Sequence, residues 1–318
     1  MRWVSWRRPS RCLRRKLMTI APSLRVWTAA TLALSIPWSG DGAATATAPQ
    51  PHAKPAECAR AGGMATIPSG KVLLGEDGEN DAGEAIDVPA FRIDRYEVTN
   101  RQFASFVAAT GYRTDAERVG EGAVFVVPAQ LSGMDAGQWW RMVRGADWRH
   151  PVGPASGIAE AMDRPVVQVT WNDAAAYARW AGRVLPSRAQ WERAARGGQE
   201  GPRSPLGWAY GENGKPIANT WQGVFPVRDT EDDGYGGLAP VGCFPANDFG
   251  LYDMIGNAWE WTSEGDGATR IVRGGSFLCA MNYCANFRPA GFQAQELDLP
   301  TSHIGFRTVA PAPTPRRR

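Results

Sequence analysis

Histidine is nearly absent from this chain: three occur in 318 residues, at positions 52, 150 and 303. A tetrahedral zinc centre wants four Cys or His ligands, and Cys279 and Cys284 stand as a lone Cys-x4-Cys pair with no second pair beside them, so structural zinc is poorly supported. Cysteine itself is scarce, at five, and a chain of this length buries enough core to do without disulfides as its scaffold. An excess of one charge is missing too. The formal net charge is +3, with arginines concentrated before Val26 and after Pro315, so the middle of the chain lacks the basic surface of a nucleic-acid binder. No internal repeat and no long periodic helix is present, which excludes solenoids and helical bundles.

What the chain has in quantity is Trp (14), Gly (36) and Pro (24). Many large rings among many turn formers predict a loop-rich α+β domain with modest regular structure, stitched by aromatic side chains that carry a polar handle. The N-terminus runs from a basic stretch through an apolar segment, Val26 to Pro37, to small residues near Ala44 to Ala48. That order is an export signal. The apolar segment is far short of the roughly 20 residues a bilayer-spanning helix needs, so a cleavable leader is preferred to an anchor. Arg14-Arg15-Lys16-Leu17-Met18 hints at a twin-arginine signal, but Pro22 and Arg25 interrupt it, and the route stays open. We assign 1–48 to the leader, 49–61 to a Pro/Ala-rich linker, 62–311 to one domain and 312–318 to a basic tail.

Within the domain, Phe91 to Glu97 reads as a strand, followed by a helix capped by Thr99 or Asn100 and ended by Gly111. A second unit repeats this grammar. Val166 to Val169 reads as a strand, Asn172 or Asp173 as the cap of a helix over Ala174 to Ala181 stopped by Gly182, and Ser187 as the start of a helix ended by Gly197-Gly198.

Spacing alone leaves the cysteine pair in contest between a disulfide and a metal site, and in an exported protein the disulfide is the ordinary outcome. Two thiolates from one loop also suit a soft monovalent ion, and thiolates select Cu(I). Asp229, Glu231, Asp232 and Asp233 crowd together, as a solvated loop would allow or a Ca2+ loop would need. Asp173 and Glu192 read as a helix cap and a helix-face residue rather than an acid–base pair, Trp261 as packing, and His303 as a satisfied loop residue. Whether Cys58 and Cys243 pair is left open.

The segments "PVVQVTWNDAAAYARWAGRVLPSRAQWERAARGG", "NTWQGVFPVRDTEDDGYGGLAPVGCFPANDFGLYDMIGNAWEWTSE", "RGGSFLCAMNYCANFRP" and "TSHIGFRTV" occur in this order. They resemble the formylglycine-generating enzyme family, the sulfatase-modifying factors, over nearly the whole expected domain. The resemblance implies that family's fold, which is distantly like C-type lectins, in a monomer without a membrane span. It also implies an oxidase that converts a cysteine in a sulfatase Cys-x-Pro-x-Arg segment to Cα-formylglycine with O2. On the same resemblance Cys279 and Cys284 hold Cu(I), to which the substrate thiol adds, while Ser276 and Trp259 line an oxygen pocket. One structural Ca2+ falls to Asn219 and Asp233 with backbone oxygens of Thr220 and Tyr235. A second falls to Asp253 and Glu260 with backbone oxygens of Gly256 and Ala258.

Relatives of this fold that lack the chemistry leave a non-catalytic binding module as the alternative. An iron-dependent sulfoxide synthase is discounted because it needs a histidine triad. The chain departs from the animal enzymes where peptide recognition is expected. Ala280, Met281 and Asn282 replace a His-Arg-Ser run, and Asn286 and Phe292 interrupt a basic run that ends in arginine. His303 replaces an asparagine, and Pro289 and Thr308 replace structural cysteines.

Overall fold

The computed structural model describes Cys58 and residues 62–75, 84–199, 201 and 203–311. The expected leader and tail, and the linker apart from Cys58, lie outside the described residues.

Two strands open the domain, β1 (Met64–Ile67) and β2 (Gly70–Leu74), followed by β3 (Glu84–Val88) and β4 (Phe91–Asp94). The first turn of helical structure is α1 (Asn100–Thr110), then α2 (Asp115–Val119), which leads into the hairpin β5 (Glu121–Phe125) and β6 (Trp140–Arg144). Helices α3 (Trp171–Trp180), α4 (Arg188–Arg196) and α5 (Pro205–Ala209) follow, then the short hairpin β7 (Gly223–Val224) and β8 (Arg228–Asp229). The chain ends with β9 (Trp259–Trp261), β10 (Thr269–Arg273), β11 (Phe292–Glu296), β12 (Ile304–Gly305) and β13 (Val309–Pro311).

The strands form small sheets rather than one large one. β4 sits between β1 and β13, and a four-stranded sheet runs β11-β10-β9-β12. β12 lies parallel to β9 while the other neighbours are antiparallel. β12, at the edge of the second sheet, and β13, paired with β4 in the first, link the two sheets within a few residues. Trp259, Trp261, Phe103, Tyr177 and Phe306 fill one core beside these strands, and Trp191 with Ile67, Ile93 and Leu251 fills a second. A third core, around Trp139, Trp221, Phe225, Leu278 and Ala280, underlies the hairpins and the cysteine loop. Rings meet edge to face in these cores, for example Phe103 on Trp148 at 5.2 Å, the arrangement that aromatic quadrupoles favour.

Helix ends follow local chemistry. Thr99 and Ser187 cap α1 and α4 in full capping boxes, with Gly111 and Gly197 in the left-handed conformation at the far ends; of the two caps the sequence offers for α1, Thr99 holds the place and Asn100 is the first helical residue. α3 begins earlier than predicted. Thr170 is its cap, and Asp173, predicted as a cap, is the third helical residue, whose carboxylate accepts the Thr170 N–H at 2.9 Å. The strand predicted at Val166 to Val169 does not form. Gln168 takes φ +58°, breaking the alternation, and its amide nitrogen donates to the Ala123 and Pro151 carbonyls instead. The strand read as Phe91 to Glu97 ends at Asp94. Glu192 is a fully buried residue of α4, hydrogen-bonded to Gly75 N–H and Arg196, which bears out its structural role.

Cys58 and Cys243 form a disulfide across 185 residues of sequence. A cross-link spanning so long a loop removes conformational freedom from the unfolded chain. Cys58→Ser should therefore lower stability by about 3 kcal/mol. Urea unfolding in non-reducing buffer reads this out, and the loss should vanish when wild type and variant are compared in reducing buffer.

Candidate functional site

The loop after β10 is bent by its own glycines. Gly274 and Gly275 have φ of +94° and +78°, and a Cβ on Gly275 would sit 3.0 Å from the Phe287 backbone. This close approach brings the start of the loop, Ser276, against its end and folds the two cysteines inward. Cys279 N–H donates to the Ser276 carbonyl and Cys284 N–H to the Ala280 carbonyl, both at 2.9 Å. From outside the loop, Trp221 N–H holds the Cys279 carbonyl at 3.0 Å.

Cys279 is buried and Cys284 partly exposed, both are free, and their sulfurs stand 3.4 Å apart. A disulfide needs about 2.05 Å, so the two sulfurs are unbonded and face one another. Burial, then the neighbouring Cys284, push the Cys279 thiol well above the usual range, while a hydrogen bond from Cys279 pulls Cys284 down. The pair thus holds its first negative charge on Cys284, the sulfur nearer to solvent.

Ser276 and Trp259, the other two expected site residues, are both buried. Ser276 is fully buried, its hydroxyl oxygen accepts the Leu278 N–H at 3.2 Å, and its side chain also hydrogen-bonds Cys279. Trp259 packs in the same core as Cys279, and its N–H donates to the His303 carbonyl at 3.0 Å. His303 differs from its predicted role as a satisfied residue. It is buried against the Trp140 ring at 4.7 Å, its Nδ1 has no partner, and burial holds it neutral with a pKa lowered to about 3.

Asn219 donates to the Gly237 carbonyl at 2.8 Å and to Asn257 Oδ1 at 3.0 Å, which leaves its own Oδ1 buried without a partner. Asp233 accepts from Thr220 N–H at 3.1 Å, from the Gln222 amide at 2.9 Å and from Tyr235 N–H at 2.9 Å. Burial lifts its pKa to about 6. The four expected donor residues of the first Ca2+ are therefore in one place, and a buried, unsatisfied carboxamide oxygen beside a half-buried carboxylate fits a hard cation. Glu231 and Asp232 remain exposed, as a solvated loop would have them.

The second set packs against the first. Gly256, at φ +79°, approaches so closely that a Cβ there would overlap the Asn219 carbonyl, and Asn257 N–H donates to that carbonyl at 2.8 Å. Asp253 is buried with Oδ1 unpartnered, while Oδ2 accepts the Gly242 N–H at 2.6 Å. Burial raises its pKa to about 6. Glu260 is engaged by its own protein, with Arg307 donating at 2.7 to 2.9 Å and Trp191 at 2.7 Å. Glu97, a residue the sequence did not single out, is also buried. Its pKa is raised by burial and then by Asp253, and its Oε2 lies 3.9 Å from Arg307. Glu97, Asp253 and Glu260 thus share Arg307 in a region from which water is excluded, so negative charge exceeds positive. That imbalance, with the open Asp253 Oδ1, fits a cation. Among the described residues no three acidic, cysteine or histidine side chains converge on one point, and sets of two side chains plus carbonyls do not require it.

Besides Glu97, the sequence reading missed Asn257, Arg307 and Gln222. Asn257, at φ +57°, bridges the two loops and also donates to Glu97 at 3.1 Å. The signals were the "GNAWEW" and "GFR" segments that contain Asn257 and Arg307.

The domain is a loop-rich α+β fold that brings two free thiols, Cys279 and Cys284, within 3.4 Å of one another. Residues 49–312 match the sulfatase-modifying factor enzyme 1-like domain, and the chain belongs to that family. It is 43% identical over 296 residues to a formylglycine-generating enzyme of Thermomonospora curvata, covering 82% of this chain and 96% of that one. It is also 40% identical over 272 residues to a protein of Mus musculus named inactive Cα-formylglycine-generating enzyme 2, covering 80% and 87%. The solved structure of PvdO from Pseudomonas aeruginosa superposes with a TM-score of 0.56 at 24% identity over 78% of this chain and 94% of that one, which shows the shared fold.

Proposed function

We propose that this protein oxidises a cysteine in a sulfatase polypeptide to Cα-formylglycine, using O2 and a Cu(I) ion held by Cys279 and Cys284. The observation that supports it above others is the pair of unbonded sulfurs, 3.4 Å apart, with the Ser276 side chain hydrogen-bonded to Cys279. Overall identity cannot separate active from inactive relatives, since both names match at about the same level, so the reading rests on this pair.

Bound Cu(I) supplies an acceptor for the substrate thiolate and an electron donor toward O2. The chain's own residues do the rest. Cys284 presents the ionised sulfur, Cys279 keeps its proton until a cation replaces it, and the buried walls exclude water from the carbon–hydrogen bond to be broken. Converting the thiol to an aldehyde and hydrogen sulfide removes two electrons, while taking O2 to water requires four. Two more electrons must therefore come from a reductant such as a dithiol, or two thiols, oxidised to a disulfide. The Ca2+ ions act structurally, drawing together loops that bury little apolar surface.

Export fits the Cys58–Cys243 disulfide, since such bonds persist in oxidising compartments. Among the described residues no helix is long and apolar enough to cross a membrane.

Purified protein loaded with Cu(I) and given O2 and dithiothreitol should convert a Cys-x-Pro-x-Arg peptide to its aldehyde, detected by mass spectrometry and by capture with a hydroxylamine. Copper bound at the pair without conversion of any cysteine peptide would instead support the binding-module reading, which the inactive mouse relative keeps in view.

A further inference from the structure

Cys243, one half of the disulfide with Cys58, stands between two residues that touch expected Ca2+ donors. On one side of it Gly242, buried at φ +76°, donates its N–H to Asp253 Oδ2 at 2.6 Å. On the other side the buried Phe244 ring packs on Tyr235, with centroids 5.9 Å apart. Cys58 and Cys243 are both partly exposed, whereas Asp253 is buried. The cross-link is therefore within reach of a small thiol, while the carboxylate is enclosed.

The Gly242 bond decides how Asp253 is presented. It occupies Oδ2 while Oδ1 has no partner in the protein, so the carboxylate is held with one oxygen open to a cation. Like charge from Glu260 also acts on Asp253. A carboxylate released from Gly242 would turn away from that charge or take up a proton. A further backbone bond, from Val241 N–H to the Asp163 carbonyl at 2.9 Å, anchors the same segment. Opening the cross-link therefore loosens Gly242 without freeing it.

We infer that the Cys58–Cys243 disulfide and the Asp253 cation site form one coupled device: the closed bond holds Gly242 on Asp253 and tightens Ca2+ binding, and bound Ca2+ in turn resists opening of the bond. Coupling of this kind is reciprocal, so each equilibrium shifts the other by the same factor. In the opening step a dithiol gives up two electrons and two protons, the S–S bond breaks to two thiols, and the dithiol closes to its own disulfide. The inference rests on the calcium reading above and is independent of copper. Its consequence for the proposed oxidation is direct, because that reaction runs beside a thiol reductant able to open the bond.

The test titrates copper-free protein with Ca2+ by calorimetry, first with the bond closed and then after dithiothreitol has opened it. Alkylation and peptide mass mapping report the state of Cys58 and Cys243. Opening should raise the Kd of the coupled site at least about tenfold, and C58S should match the opened wild type. In D253N the difference between closed and open protein should vanish. S187A, which removes the cap of α4 and costs stability elsewhere, should leave the Kd unchanged. The reciprocal measurement needs no variant. With Ca2+ saturating both forms, the ratio of reduced to oxidised dithiothreitol that opens half of the bonds should rise by the same factor over that in EGTA. Equal Kd in closed and opened protein would overturn the coupling and leave the calcium reading intact, whereas no Ca2+ binding in either form would overturn both. A loss of affinity in S187A as large as in C58S would trace the effect to general destabilisation and likewise overturn the coupling.

Discussion

Cys279→Ser and Cys284→Ser should each lower kcat/KM for peptide oxidation by at least about a thousandfold, ~4 kcal/mol in transition-state stabilisation, while leaving far-UV circular dichroism and thermal midpoint near wild type. A serine oxygen is a hard, protonated ligand, and Cu(I) selects thiolates. The fold should survive because the loop is held by backbone bonds that need no sulfur. The Ser276 carbonyl takes the Cys279 N–H, Ala280 takes the Cys284 N–H, and Trp221 holds the Cys279 carbonyl. Groups that act as a unit lose activity together rather than additively, so the double variant should be hardly worse than either single one. The measurement is single-turnover conversion with copper content determined on the same samples. Conversion at wild-type rate by both single variants would remove the thiol pair from the mechanism.

The features that were legible in the sequence are those decided within a few residues. Ser187, Gly111 and Gly197 are read correctly, and Thr99 as one of two candidates, because a cap and its partner lie three or four positions apart. Thr170 was passed over in favour of Asn172 or Asp173 because all three are capping residues, and only the folded-back Asp173 carboxylate shows which one caps. The strand expected at Val166 to Val169 failed for a long-range reason. Gln168 abandons the extended conformation to satisfy carbonyls at Ala123 and Pro151, and no pattern within the segment announces that.

At the candidate site the same division holds. The spacing of Cys279 and Cys284 marks a feature, but that the two sulfurs stand unbonded 3.4 Å apart follows from the folded loop, which spacing does not encode. The acidic cluster pointed at Asp233 yet gave equal weight to Glu231 and Asp232, which stay in water. Glu97 and Arg307 are 210 positions apart in sequence and meet only in the fold. Of the five cysteines, the pairing of Cys58 with Cys243 was equally out of reach, since position alone does not set which thiols converge.

That buried charge imbalance yields the second large effect, a metal-free protein that weakens as pH rises toward neutrality. The Asp253 carboxyl has its pKa raised from 3.8 to about 6 by burial. Between these values the folded state keeps its proton while the unfolded chain has lost it, so stability falls as pH climbs through the window and levels off above it. Two units correspond to roughly 3 kcal/mol, and Asp233, shifted in the same direction by the same cause, adds to it. A bound dication reverses the sign, because it favours the ionised carboxylates. Saturating Ca2+ should then contribute about 4 kcal/mol per site at a thousandfold excess over Kd. Urea unfolding in EGTA should therefore show higher stability at pH 5 than at pH 7.5, with Ca2+ restoring the loss at pH 7.5 and doing little at pH 5. Asp253→Asn separates this account from general acid effects. The amide keeps an acceptor for Gly242 N–H but carries no charge, so the variant should be more stable than wild type in EGTA at pH 7.5 and should lose part of the Ca2+ response. A variant less stable than wild type under those conditions would show that the Asp253 charge is already compensated within the protein.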